Sequence, residues 1–167
     1  MINDFSARYR RWFAYERDCH AKTLTSLRSV PEDRRAAPAF EQAVTLLGHV
    51  VAARKLWLFR LGEAPEGPRT FFPQELSLEE LEQQVAEMQT AWMVYLHRLD
   101  DVELARVFTY RSMEGEPFSN TIEDILTQMF GHAWYHRGQI AALVRSLGGT
   151  PVPTDFVFWT RTPVDMP

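Results

Sequence analysis

Apolar residues recur at three- and four-residue steps through four stretches of the chain, the spacing of amphipathic helices. The first runs from about Phe5 to Arg28, with Phe5, Tyr9, Trp12, Cys19 and Leu27 on one stripe, and Pro31, Glu32 and Asp33 close it. The second runs from about Phe40, after a break at Pro38, to Leu61. Leu46, Ala53 and Leu56 fall in one line there, widened by Val44, Leu47, Val51 and Leu58. Gly62 marks its end, and the three prolines and one glycine of the segment Ala64–Pro73 prevent continuation. The third runs from about Ser77 to Leu99. Ser77 and Glu80 fit a capping box, and Leu78, Leu81, Val85, Met88, Trp92, Tyr95 and Leu99 form a heptad-like seam. The fourth runs from about Thr121 to Leu147, with Ser119 or Asn120 as the expected cap and Gly148-Gly149 as the stop.

Between the third and fourth stretches the period changes. Arg106 to Tyr110 mixes β-branched and aromatic residues, and Glu114-Gly115-Glu116 reads as a turn, so a small β-hairpin is expected there. The tail TPVPTDFVFW is expected to be extended and docked by its aromatics. The pattern predicts an all-α protein, a four-helix bundle with a small hairpin between helices 3 and 4, in a single domain over residues 1–167. The order and sense of the helices are not fixed by the pattern.

Composition narrows the function classes. Net charge is −4, which argues against a nucleic-acid partner. No stretch approaches the ~18 apolar residues of a membrane span, and the first residues lack a secretory apolar core. A soluble cytoplasmic protein with no membrane partner is expected. One cysteine, Cys19, excludes an intrachain disulfide and cysteine-rich zinc sites. It reads as a small hydrophobe, with a soft metal ligand as the alternative.

Five histidines carry most of the chemical information. His132 and His136, four residues apart on a helix, point the same way one turn apart, as in helical metal sites. They share the stripe of Ile125, Met129, Ile140, Leu143 and Leu147, and His49 shares that of Leu46, Ala53 and Leu56. Three inward imidazoles need polar partners, and a single divalent ion satisfies all three while keeping a position open. Core histidines bonded to neighbouring side chains are the alternative. His20 and His97 read as surface or boundary residues. Ala133 and Tyr135 replace the glutamate pattern of zinc proteases, and there is no nucleophile elbow, P-loop or dinucleotide fingerprint.

The segment GHAWYHRGQIAALVRSLGGTPVPTDFVFW (131–159) closely resembles the closing motif of the DinB-like family of metalloenzymes, most specifically from His132 through Gln139. LLGHVVAARKLWLFRLGE (46–63) resembles the family's second helix, and Trp12 its first-helix tryptophan. The resemblance implies a four-helix bundle, a divalent metal held by His49, His132 and His136, and a homodimer. It also implies kinship with thiol-dependent transferases or isomerases that use bacillithiol, mycothiol or glutathione. Many members carry asparagine near the first-helix tryptophan, where this chain has Arg10, Tyr15 and Glu16, so a role tied to those asparagines does not carry over.

Within the motif, Arg137 is expected to pair with a carboxylate on a neighbouring helix, with Gly138 permitting close approach. Gln139 is a candidate for orienting a ligand. Glu16 is read as a boundary side chain reaching for water, the alternative being a buried carboxylate near the metal. The function expected is a metal-dependent enzyme that activates a water or a thiol, with S-transfer or hydrolysis as the reaction and a small molecule, such as a low-molecular-weight thiol, as substrate. A non-catalytic metal-containing binding or stress-response protein is the alternative. Zinc or nickel is the expected ion, with iron or manganese open.

Overall fold

The computed structural model describes residues 5–164; of the expected domain, residues 1–4 and 165–167 lie outside it. Helix α1 spans Phe5–Arg28 and α2 Pro38–Arg60, separated by a single 3-10 turn over Glu32–Arg34. Then follow α3 (Leu78–Arg98), a short α4 (Asp101–Ala105), strands β1 (Val107–Arg111) and β2 (Pro117–Thr121), α5 (Ile122–Ser146) and a short α6 (Phe156–Thr160). The strands pair antiparallel as the expected hairpin.

Local chemistry sets the ends. Pro38 opens α2 rather than preceding it, because its missing N–H has no role in a first turn. Ser77 and Glu80 form the expected capping box on α3. The cap of α5 is Thr121, which exchanges hydrogen bonds with Asp124, and not Ser119 or Asn120. Those two pair with Thr109 and Phe108 in the hairpin, so the helix starts only after the ladder ends. At the far end Gly148 takes φ +82°, the left-handed conformation that stops a helix at little cost to glycine.

Both α1 and α2 pack against α3 and α5, which leaves α1 and α2 on one diagonal of the bundle. Cross-links give the senses. Arg28 meets Glu82 while Arg10 donates to the Leu99 carbonyl, so α1 and α3 are antiparallel. Tyr9 bonds Thr127 and Glu16 meets Arg137, so α1 and α5 are parallel. Lys55 meets Glu87 and Glu63 meets Arg98, so α2 and α3 are parallel.

Parallel neighbours need a crossover, and the 61–77 connection supplies it by running back along α2. Thr45 donates to the Pro73 carbonyl at 2.9 Å, and a Cβ on Gly48 would lie 2.6 Å from Pro73 Cγ. Gly48 therefore lets this strap lie flat beside His49.

The α3 seam is buried along its whole length, and Trp92, wholly covered, donates its indole N–H to the Arg54 carbonyl at 3.3 Å. The tail corrects one expectation. Residues 150–155 run along α1, bonded to Ser29 and Ser26, but the chain then turns into α6 instead of staying extended. One helical turn puts Phe156 and Trp159 on the same side, and both pack edge-on against Tyr15, with ring centroids 5.0 and 5.8 Å away. An extended chain would point them to opposite sides.

Candidate metal centre

α2 delivers His49, and α5 delivers His132 and His136, to the seam between these antiparallel helices. The Nε2 atoms of His49 and His136 each lie 3.1 Å from Nε2 of His132, and the donor atoms of all three lie within 4.8 Å of one another. Two nitrogens bound to one zinc in tetrahedral geometry, at ~2.0–2.1 Å each, sit about 3.3 Å apart, so the spacing fits a shared ion. None of the three is deep in the core: His136 is just buried, and His49 and His132 are half-buried. The stripe that carries His49 is half-buried throughout, so the cluster sits at the rim of the core, within reach of solvent.

The outer nitrogens fix which lone pairs face inward. His49 Nδ1 donates to the Phe71 carbonyl at 2.9 Å, on the strap that runs back over α2, and the Phe72 ring stacks on the imidazole at 4.2 Å. His136 Nδ1 donates to Gln139 Oε1 at 2.7 Å, which fixes the orientation of that ring. Both Nε2 atoms are then bare lone pairs. His132 Nε2 faces both, and a single proton there cannot serve two acceptors well. A cation in their midst removes the conflict, as electron-pair donors suit it. Burial lowers the pKa of His49, and burial with the neighbouring His136 and His49 brings His132 down to about 4. Both rings are neutral at physiological pH, the form that binds metal.

The DinB family profile matches residues 2–163. The chain belongs to the DinB family. Among its relatives, the protein DinB of Bacillus subtilis (strain 168) is 25% identical over 88 residues, which is 51% of this chain and 50% of that protein. The match thus spans half the length of that relative. The crystal structure of a DinB-like protein from Bacillus cereus ATCC 10987 shares the fold with a TM-score of 0.65, over 87% of this chain and 94% of that one, at 21% identity.

In this DinB chain a layer of buried charge ties together the helices that carry the histidines. Glu16 on α1 is fully buried, which corrects its reading as a boundary side chain. Its Oε1 accepts from Arg137 at 2.7 Å and from the Trp134 indole at 3.2 Å, and its Oε2 accepts from Arg54 at 2.9 Å. Arg137 follows His136 on α5 and Arg54 lies five residues beyond His49 on α2, so one carboxylate clamps both histidine-bearing helices. Arg137 therefore meets the expected carboxylate. Gly138 plays no part in it, being exposed with nothing within 4 Å of a Cβ placed there.

His20 lies in the same layer, fully buried, with Gln89 donating to its Nδ1 at 3.1 Å. Burial and the charges of Arg54 and Arg137 hold its pKa well below the ordinary value. The expectation of a surface or boundary position fails because His20 follows Glu16 by four residues on the face that α1 turns inward. His97 is exposed, as expected.

Cys19 is buried, with Sγ 4.0 Å from the Thr154 carbonyl, and does not join the histidine donors. Burial pushes its thiol up to about 11. Iodoacetamide at about pH 8 is expected to leave Cys19 unmodified in the folded protein over hours and to alkylate it within minutes in denaturant, as read by intact mass. Rapid native labelling would show that the tail does not stay docked on α1.

Proposed function

We propose that this DinB protein is a metal-dependent enzyme whose His49, His132 and His136 hold a divalent ion, zinc or nickel before iron or manganese. The observation that carries this reading is the convergence of three histidine donors, with the Nε2 atoms of His49 and His136 each 3.1 Å from Nε2 of His132 and their Nδ1 atoms committed to fixed acceptors. A divalent ion held by three protein nitrogens supplies a Lewis acid that lowers the pKa of a water or thiol taken up at its open position. The chain's own part is to hold the rings neutral and aimed, through the Phe71 carbonyl and Gln139, and to fix the α2–α5 spacing through Glu16. The reaction is S-transfer or hydrolysis on a small molecule, with a low-molecular-weight thiol as the nucleophile in the first case.

Elemental analysis of purified protein is expected to find one divalent ion per chain, and stripping it with dipicolinate to lower Tm by roughly 5–10 °C. Re-addition of zinc or nickel restores the loss. An unchanged Tm with and without added metal would sink the reading.

One observation favours the non-catalytic alternative. Among the described residues no carboxylate joins the three histidines, and Glu16 is committed to two arginines. Metal-loaded protein that turns over neither thiol–electrophile pairs nor simple esters and amides would be read as a metal-containing binding protein.

A further inference from the structure

A groove of about 470 Å³ lies between α2, α5 and the hairpin, and Trp57, Phe71, Tyr110 and Phe118 give it aromatic walls. The hairpin stands against α2 through Trp57 and Tyr110, whose ring centroids are 5.0 Å apart. Arg60 fills the angle between them, 4.9 Å from one ring and 4.8 Å from the other, and donates to the Arg111 carbonyl. The Tyr110 hydroxyl is spent on Asn120 at 2.8 Å, and Arg60, which also lines the groove, lies over its ring. Phe118 and Met113 remain 53% and 65% exposed, large apolar groups that the bundle leaves uncovered beside this groove.

None of the three histidines lines the groove, but it begins one to two helical turns from them. Gln128, which has no hydrogen-bonding protein partner among the described residues, lines it one helical turn before His132, about 6 Å along α5. Leu56 lines it on the stripe of His49, seven residues on and about 10 Å along α2. Because α2 and α5 are antiparallel, both steps lead away from the cluster in the same direction. Phe71 joins the two places directly: its carbonyl holds His49, and its residue lines the groove. By contrast the larger cavity, about 600 Å³ under the strap, opens on the Gly48–Ala52–Lys55 face of α2, about a quarter-turn round the helix from His49.

We propose that this groove binds the apolar tail of the substrate whose reacting group sits at the histidines. The substrate class is a molecule with a polar, metal-seeking head and an aromatic or alkyl group roughly 6–10 Å away. The inference rests on the metal-centre reading, and the two can fail separately.

The test compares acetohydroxamate with phenylhexanohydroxamate by calorimetry on zinc-loaded protein. Both carry the same metal-binding head, and only the second has a tail long enough to reach the aromatic walls. The longer probe is expected to bind roughly tenfold tighter or better. Trp57→Ala and Phe118→Ala are each expected to remove most of that gain while leaving the acetohydroxamate Kd unchanged. Equal affinities for the two probes, or a gain that survives in both variants, overturns the proposal.

If acetohydroxamate does not bind at all, it is the metal reading that fails. The groove is then read by quenching of indole fluorescence with phenylhexanoate, using Trp57→Phe as the blank. Quenching lost in Trp57→Phe supports the groove, and no quenching, or the same quenching in the blank, overturns it.

Discussion

Glu16→Gln is expected to destabilise the protein by about 3–5 kcal/mol, because it leaves two buried guanidinium groups facing a neutral amide. Arg54 and Arg137 are 1% and 7% exposed, each has a buried Nε without a partner, and among the described residues Glu16 is the carboxylate bonded to both. Against a total stability of about 5–15 kcal/mol, the loss corresponds to a fall in Tm of roughly 6–20 °C. The triple variant Glu16→Leu/Arg54→Met/Arg137→Met separates the charge balance of this group from its packing. Removing all three charges together is expected to leave the protein more stable than Glu16→Gln alone, since no charge is then stranded. Equal or greater loss in the triple variant, by denaturant titration, would show that the layer contributes packing and not charge balance.

This layer also explains what the sequence hid. The buried stripe of α1 is Tyr9, Phe13, Glu16, His20, Leu24 and Leu27, which steps as regularly as any seam but has a carboxylate and an imidazole at its centre. An apolar pattern slides off it toward Phe5 and Trp12, which are exposed or half-buried. The buried line of α2 carries Arg54 between Val51 and Leu58, and that of α5 carries Arg137 between Ala133 and Ile140. Each helix holds one charged residue in a largely apolar seam, and the three meet. A charge at a seam position was the available signal, but a partner on another helix is invisible until the bundle order is known. That order depends on a crossover whose direction the prolines of 65–73 do not encode.

The α3 seam, the hairpin and the inward faces of the three histidines were legible because each rests on local spacing. The histidines' depth was not. Periodicity places them inward, and only the packing of α2 on α5 shows that they stand at the rim, where a small molecule can reach them.

That rim position gives His132→Ala an unusual expected signature. Metal affinity should fall by roughly a hundredfold or more, since structural zinc sites gain about 10–16 kcal/mol over their full ligand set and one of three ligands is lost here. The metal-free protein should respond in the opposite way. Its His132 Nε2 lies 3.1 Å from two nitrogens whose lone pairs both point at it, and the side chain is only half-buried. Alanine removes that conflict, and the small space left behind opens to solvent rather than forming a dry cavity. Stripped wild type and stripped variant are therefore expected to melt within about 2 °C of each other, whereas saturating zinc raises the wild type by roughly 5–10 °C and leaves the variant nearly unmoved. Histidines kept only to bond one another in a core predict the reverse, a variant that loses stability without metal and a wild type indifferent to it. The cluster costs the free protein a frustrated contact, and only a bound cation turns the same three nitrogens into a stabilising one.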